Sequence, residues 1–203
     1  MKAKENNTLT EGEEIVLRSM FPKGKERTIK EIQKKTAYSS YERNNTYLKI
    51  LAQKGVLEEK KFGKTLVYSI IPNKWASKKA FNAYALERAE DFSEKHAIVS
   101  KALQELPQEE ADLVIVFGSY AKGSERKDSD IDVLIVSSEK EKIESALTSI
   151  KRRYGLQIHS IIIPKTEFAK IKNENKELWD SLVTYGILFK GYELFYQYAY
   201  KTQ

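Results

Sequence analysis

Cysteine is missing from all 203 residues, so disulfides and thiolate metal sites are excluded, and a reducing cytoplasm is the expected setting. No apolar run approaches the roughly 18 residues of a membrane span, so no membrane contact is expected. The opening MKAKENNTLTEGEE carries no apolar core of a signal peptide. There is no internal repeat and no low-complexity segment. Proline occurs only four times, and Pro22, Pro72 and Pro107 act as punctuation. What is present, 41% hydrophobic and 32% charged residues, describes a globular chain with a real core, long enough for one large domain or two small ones.

The net charge of +6 is unevenly placed: residues 1–75 hold 16 Lys/Arg against 9 Asp/Glu, and residues 76–203 hold 19 against 20. The basic excess lies wholly in the first third and points to a polyanion as its partner. That stretch also has clear helix signals. Thr10 with Glu13, Thr28 with Glu31 and Ser39 with Glu42 have the spacing of capping boxes. The first predicts a helix to about Phe21, broken by Pro22 and Gly24. The last predicts a helix through Lys54, ended by Gly55. VLEEKK and TLVYSI flank Phe62-Gly63-Lys64 as two strands around a turn.

Helix, short helix, longer helix and hairpin follow one another in the order of a winged helix-turn-helix, and residues 10–72 resemble that DNA-binding family. Tyr47, Leu48 and Leu51 are expected in the core. Ser40, Arg43, Asn44 and Lys49 are expected outward, toward base edges, with Lys60, Lys61 and Lys64 on the wing near phosphates. Residues 73–107 read as a helical linker, one helix or two. His96 lies on its apolar stripe and is expected to be packed rather than catalytic.

From 108 to 203 the pattern is α+β. ADLVIVFGS, SDIDVLIV and LQIHSIIIP read as strands, and KEKIESALTSIKRRY as an amphipathic helix. ELWDSLVTYG reads as a helix, ILFK as a short strand and YELFYQYAYK as a helical tail. The tail's aromatics imply packing on the domain or on a partner subunit, so a homodimer is one expectation. Phe117-Gly118-Ser119 follows a buried strand and opens toward a helical turn, where free N–H groups favour a phosphate. Gly118 allows close approach, the Ser119 hydroxyl adds a donor, and Gly123 allows a tight loop. Asp130 and Asp132, two apart on a strand, project from one face, while Ile131, Val133 and Ile135 point into a core. Paired carboxylates are tolerated when a cation sits between them, and a hard cation such as Mg²⁺ beside a triphosphate meets that need.

G-S-x-A-x-G followed by S-D-I-D in a hydrophobic strand resembles the DNA polymerase β-like nucleotidyltransferase superfamily. Its small prokaryotic minimal members are most similar, over roughly Glu110–Gly191 and including T-Y-G-I-L-F-K-G. The resemblance implies a nucleotidyltransferase-fold mixed sheet with flanking helices. It implies that Gly118 and Ser119 contact the β/γ-phosphates and that Asp130 and Asp132 bind divalent cations, Mg²⁺ or Mn²⁺. The reaction it implies joins a nucleoside monophosphate from an NTP to an acceptor hydroxyl. A HEPN-type protein partner is implied for one setting of such enzymes. Members usually carry a third carboxylate on the next strand, where this chain has His159, with Gln157 beside it on the same face. His159 is then either an altered catalytic residue or a mark of lost catalysis, and Glu167 is the candidate to compensate. Two functions follow: a transferase coupled to a DNA-binding module, or a winged-helix regulator whose degenerate second domain senses nucleotide or dimerises.

Overall fold

The computed structural model describes residues 8–22, 26–36 and 38–200. They fall into two compact units, one reaching Tyr84 and including Tyr200, the other spanning Ala85–Ala199.

In the first unit, α1 (Glu11–Arg18) opens on the expected capping box. The Thr10 hydroxyl accepts the Glu13 N–H, and the Glu13 carboxylate accepts the Thr10 N–H at 2.9 Å. The helix stops short of Phe21, because Ser19 caps it and donates its hydroxyl to the Val16 carbonyl at 2.6 Å. Gly24 lies outside the described residues. β1 (Arg27–Thr28) leads into α2 (Ile29–Gln33), whose Thr28–Glu31 capping box also forms. α3 (Tyr41–Gln53) departs from expectation by one residue. Ser40, not Ser39, is the N-cap: it accepts the Arg43 N–H at 3.2 Å and donates to Glu42 at 3.0 Å.

The end of α3 is a Schellman motif. Gly55 takes φ +65, its N–H reaches the Ala52 carbonyl, and the Val56 N–H reaches that of Leu51. β2 (Leu57–Phe62) and β3 (Thr65–Ile70) then pair across a two-residue turn with Gly63 at φ +59. β1 adds to the far side of β3, giving the order β1-β3-β2. Val16, Leu17, Ile32, Leu48, Leu51 and Tyr68 are buried completely beneath these elements. The buried Glu13 carboxylate is compensated by Lys54 at 2.7 Å. Tyr47 is half-buried and packs against Tyr38.

Two helices cover the expected linker, α4 (Trp75–Lys95) and α5 (Ala97–Gln104). Val99, Ala102 and Leu103 of α5 belong to the core of the second unit. That unit continues through β4 (Leu113–Phe117), α6 (Gly118–Lys122), β5 (Ile131–Val136), α7 (Lys140–Tyr154) and β6 (Ile158–Ile163). It ends with α8 (Lys165–Glu174), α9 (Lys176–Tyr185), β7 (Ile187–Lys190) and α10 (Tyr192–Tyr200).

The sheet is mixed, as expected, in the order β6-β5-β4-β7. β5 and β6 run parallel, which requires a crossover, and α7 supplies it; the other pairs are antiparallel. Alternation sends Ile131, Val133 and Ile135 into one core with Val114, Val116, Leu103 and Leu147. Leu134 and Val136 are also fully buried, so the sheet is covered on both faces along most of its length. The tail's aromatics pack within the chain. Phe195 lies 6.1 Å from Trp179, Tyr198 lies 5.4 Å from Phe168, and Tyr200 lies 5.3 Å from Phe21. Of the two readings the sequence left open for the tail, these contacts are the packing on the chain itself. Among the described residues, no helix is long and apolar enough to cross a membrane.

Candidate functional site

Polar side chains gather where β4 ends and β5 begins. Gly118 follows the last residue of β4 with φ +68, a conformation that L side chains avoid. A Cβ there would lie 2.9 Å from Cγ of Asp132 and closer still to its Oδ2. The bare glycine is therefore what lets the Asp132 carboxylate rest against the strand–helix turn. Phe117 at the N-cap of α6 offers no side-chain cap to the first N–H groups of this turn. Ser119 is half-buried in it, and its carbonyl accepts the Ser124 N–H at 3.0 Å. Gly123, at φ +66, ends the turn.

Strand register brings the remaining residues together. Asp132 pairs with Phe117 on one side and with His159 on the other. His159 Nδ1 lies 3.1 Å from Asp132 Oδ1, with the two side chains 66% and 27% exposed. Asp130, exposed, stands just before β5; the ladder is already set at Ile131, whose N–H reaches the Gln157 carbonyl at 2.8 Å. His159 thus occupies the position expected of it, beside Asp132. Glu167 does not compensate. It lies in the first turn of α8, beyond Pro164 and the far end of β6, because β6 runs away from the site in parallel with β5.

Among the described residues, no group of three or more His, Asp or Glu side chains could hold a metal ion alone. Mg²⁺ is commonly held by one or two carboxylates plus substrate phosphates, so Asp132 and, two residues ahead of it, Asp130 would be the pair to hold one.

The basic residues of the first unit fare unequally. Lys49, Lys61 and Lys64 are exposed. Lys60 is exposed but lies 3.2 Å from Glu58, whose hydrogen bond holds its ammonium above the usual lysine range. Arg43 stacks over the Tyr38 ring at 4.0 Å. Asn44 corrects the expectation of an outward, base-reading side chain. It is wholly buried, donates to the Tyr38 and Ser40 carbonyls at 2.9 and 2.8 Å, and accepts from Thr36 at 2.9 Å. Its amide ties the chain before α3 to the helix. Ser40 is exposed, with its hydroxyl engaged in the cap.

His96 is packed, as expected, with its ring 4.6 Å from Phe92. Lys122, in the glycine-rich turn, lies 5.5 Å over the Tyr185 ring. Arg88 donates to the Tyr185 and Gly186 carbonyls at 2.8 and 3.1 Å. No local sequence signal foretold either contact, since the partners are distant in the chain.

The site thus sets one strand aspartate, Asp132, with Asp130 just ahead of the strand, beside a glycine–serine turn. Residues 96–193 match the model of the nucleotidyltransferase domain. A relative from Methanocaldococcus jannaschii, provisionally named a protein adenylyltransferase, is 36% identical over 72 residues, covering 32% of this chain and 73% of the relative. The chain belongs to the nucleotidyltransferase domain family. Two solved structures are also similar. One, a toxin-antitoxin with AMP-PNP, gives a TM-score of 0.36 at 19% identity over 51% of this chain and 82% of its own. The other, from Sulfolobus solfataricus and provisionally described as a nucleotidyltransferase, gives 0.27 at 23% over 52% and 85%.

Proposed function

We propose that the protein transfers a nucleoside monophosphate from an NTP to an acceptor hydroxyl, releasing pyrophosphate. The observation that carries this reading is the register Phe117–Asp132–His159, which sets Asp132 between the Gly118 turn and an imidazole. In this reading Gly118 and Ser119 hold the β/γ-phosphates, and Asp130 and Asp132 hold Mg²⁺ (or Mn²⁺). A bound divalent cation would neutralise charge on the phosphates as the bond from the α-phosphorus to the pyrophosphate oxygen breaks. The acceptor oxygen forms the new bond to the α-phosphorus, and pyrophosphate leaves with the electron pair of the old one. Asp132 engages Nδ1 of His159, which leaves Nε2 to take the acceptor's proton. Following the name of the M. jannaschii relative, ATP is the donor and a protein side chain the acceptor. A HEPN-type protein is one such partner, and the cytoplasm is the setting.

The N-terminal unit is proposed as a winged helix that docks on DNA. Its element order and its β1-β3-β2 sheet favour this. So do the exposed Lys49 on α3 and Lys60, Lys61 and Lys64 on the hairpin, together with Arg43.

Purified protein with Mg²⁺ or Mn²⁺ and labelled NTPs should label an acceptor, and the Asp130→Asn/Asp132→Asn double variant should not. Equal labelling by both across all four NTPs would sink the proposal. The chemistry of β6 favours a second reading, because it has no carboxylate beside Asp132. There the domain senses nucleotide, or dimerises, for a DNA-binding regulator. Nucleotide binding without turnover, combined with DNA affinity whose salt dependence falls in Lys60/Lys61/Lys64→Ala, would select that reading.

A further inference from the structure

Glu125 lies in the loop between α6 and β5, the segment joining Ser119 to Asp130. Its neighbours Ser124, Arg126 and Lys127 are exposed, but Glu125 turns inward. Its Oε1 lies 3.5 Å from Nε2 of His96, with the two side chains 25% and 17% exposed. Its Oε2 is fully buried and has no hydrogen-bond partner. A buried carboxylate oxygen without a partner is unfavourable, and rotation outward would rehydrate it. Something holds it in. His96 is placed to do so, at the junction of α4 and α5. Its ring meets Phe92 of α4 at 4.6 Å and, edge to face, Tyr120 of α6 at 5.2 Å. His96 thus touches the helix that carries Ser119 and the loop that delivers Asp130.

We propose that His96 and Glu125 form a latch fixing the Gly118–Asp132 segment against the start of α5. It keeps the phosphate-binding end and the metal-binding end of the site in register. The two are positioning residues, and the proposal rests on the nucleotide-site reading above. A loop freed of the latch must be ordered again each time nucleotide binds, and affinity falls by that cost.

Four variants of the full chain test it: Glu125→Ala, Glu125→Gln, His96→Phe, which keeps a ring against Phe92 and Tyr120, and the Glu125→Ala/His96→Phe double variant. Two readouts apply: hydrogen–deuterium exchange without nucleotide, and the Kd for α,β-methylene ATP with Mg²⁺. Glu125→Ala and His96→Phe should each speed exchange within 118–132 while leaving α7 and β6 unchanged. Each should raise Kd by about tenfold. Glu125→Gln, which can still bond to His96, should recover most of the loss. The Glu125→Ala/His96→Phe double variant should be no worse than the worse single. Unchanged exchange in 118–132, exchange raised equally throughout the second unit, or multiplying effects in the double variant would each overturn the latch. If the wild type fails to bind the analogue, the nucleotide-site reading falls, and the exchange comparison still decides the latch.

Discussion

Replacing Gly118 with alanine tests whether the site depends on a glycine that no other residue can stand in for. Two costs add. The first is conformational: an L residue at φ +68 gives up about 1–2 kcal/mol. The second is steric: the new methyl would sit 2.9 Å from Asp132 Cγ and overlap Oδ2, so the carboxylate must move. Such overpacking costs a further ~1–3 kcal/mol. Gly123 provides the internal control. It has φ +66 in the same segment, with nothing within 4 Å of where an added methyl group would stand, so Gly123→Ala carries only the first cost. For a unit spanning Ala85–Ala199, about 4 °C of Tm accompanies each kcal/mol. Gly123→Ala should therefore lower Tm by about 4–8 °C and Gly118→Ala by about 8–20 °C. The difference between the two isolates the clash with Asp132.

Binding should separate them further. Moving Asp132 disturbs its 3.1 Å contact with His159 and the place proposed for it as a metal ligand. Gly118→Ala should thus weaken α,β-methylene ATP binding with Mg²⁺ by more than tenfold, while Gly123→Ala should stay within a few-fold of wild type. Melting curves and titration calorimetry on the three proteins suffice. Equal Tm losses with equal affinities would refute the reasoning, because the close approach of Gly118 to Asp132 would then have no consequence.

Three further substitutions follow. His159→Asp places a third carboxylate beside Asp132 at an exposed position; it should raise Mg²⁺-dependent labelling, and it should lower Tm without metal, since facing like charges cost about 0.2–1 kcal/mol, with recovery on adding Mg²⁺. Unchanged labelling and a Tm blind to Mg²⁺ would count against the site. Asn44→Ala removes three buried hydrogen bonds and should cost about 2–4 kcal/mol in urea unfolding, and a loss under ~0.5 kcal/mol would contradict its structural role. Tyr68 is buried and donates to Glu59 at 2.6 Å, so desolvation, then that bond, raises its pKa above the usual tyrosine value. A raised acid pKa means stability fully present below about pH 10 and lost as pH rises beyond it. The urea midpoint should fall on that alkaline limb in wild type and less in Tyr68→Phe; parallel curves would refute the assignment.

The sequence showed most where local chemistry decides structure. Thr10–Glu13, Thr28–Glu31 and Gly55 act through residues a few positions apart, and each forms as its spacing implies. Ile131 and Val133 likewise enter the core as the alternation implies, although the strand begins only at Ile131 and leaves Asp130 just ahead of it. The structure departs from the local pattern where a neighbour can do the same job, or where contacts span the chain. Ser39 and Ser40 are equal as caps on paper, and the helix chose Ser40 because Glu42 then lies within reach of its hydroxyl. Asn44 reads as a surface polar residue, and only the fold shows Thr36, Tyr38 and Ser40 converging on it. Glu167 is near His159 in sequence, but a parallel strand carries it to the opposite end of the sheet.

The sheet order also bears on the acceptor. β6 is an edge strand, and β4 is flanked by β5 and β7. His159 therefore stands at the open margin of the site, two-thirds exposed, with Gln157 and Asp130 exposed beside it. A small hydroxyl compound approaching from that side would have to be positioned by exposed side chains, against its full entropy of binding. A large acceptor can supply its own contacts beyond the site and deliver one hydroxyl to His159. For the proposed transfer, this exposure argues for a macromolecular acceptor. Labelling of free serine, tyrosine or glycerol should rise linearly with concentration and not saturate, whereas a true protein acceptor should saturate and compete it out. A small hydroxyl compound that saturates the labelling at micromolar concentration would show that the open margin is closed by something else, and would overturn the preference for a large acceptor.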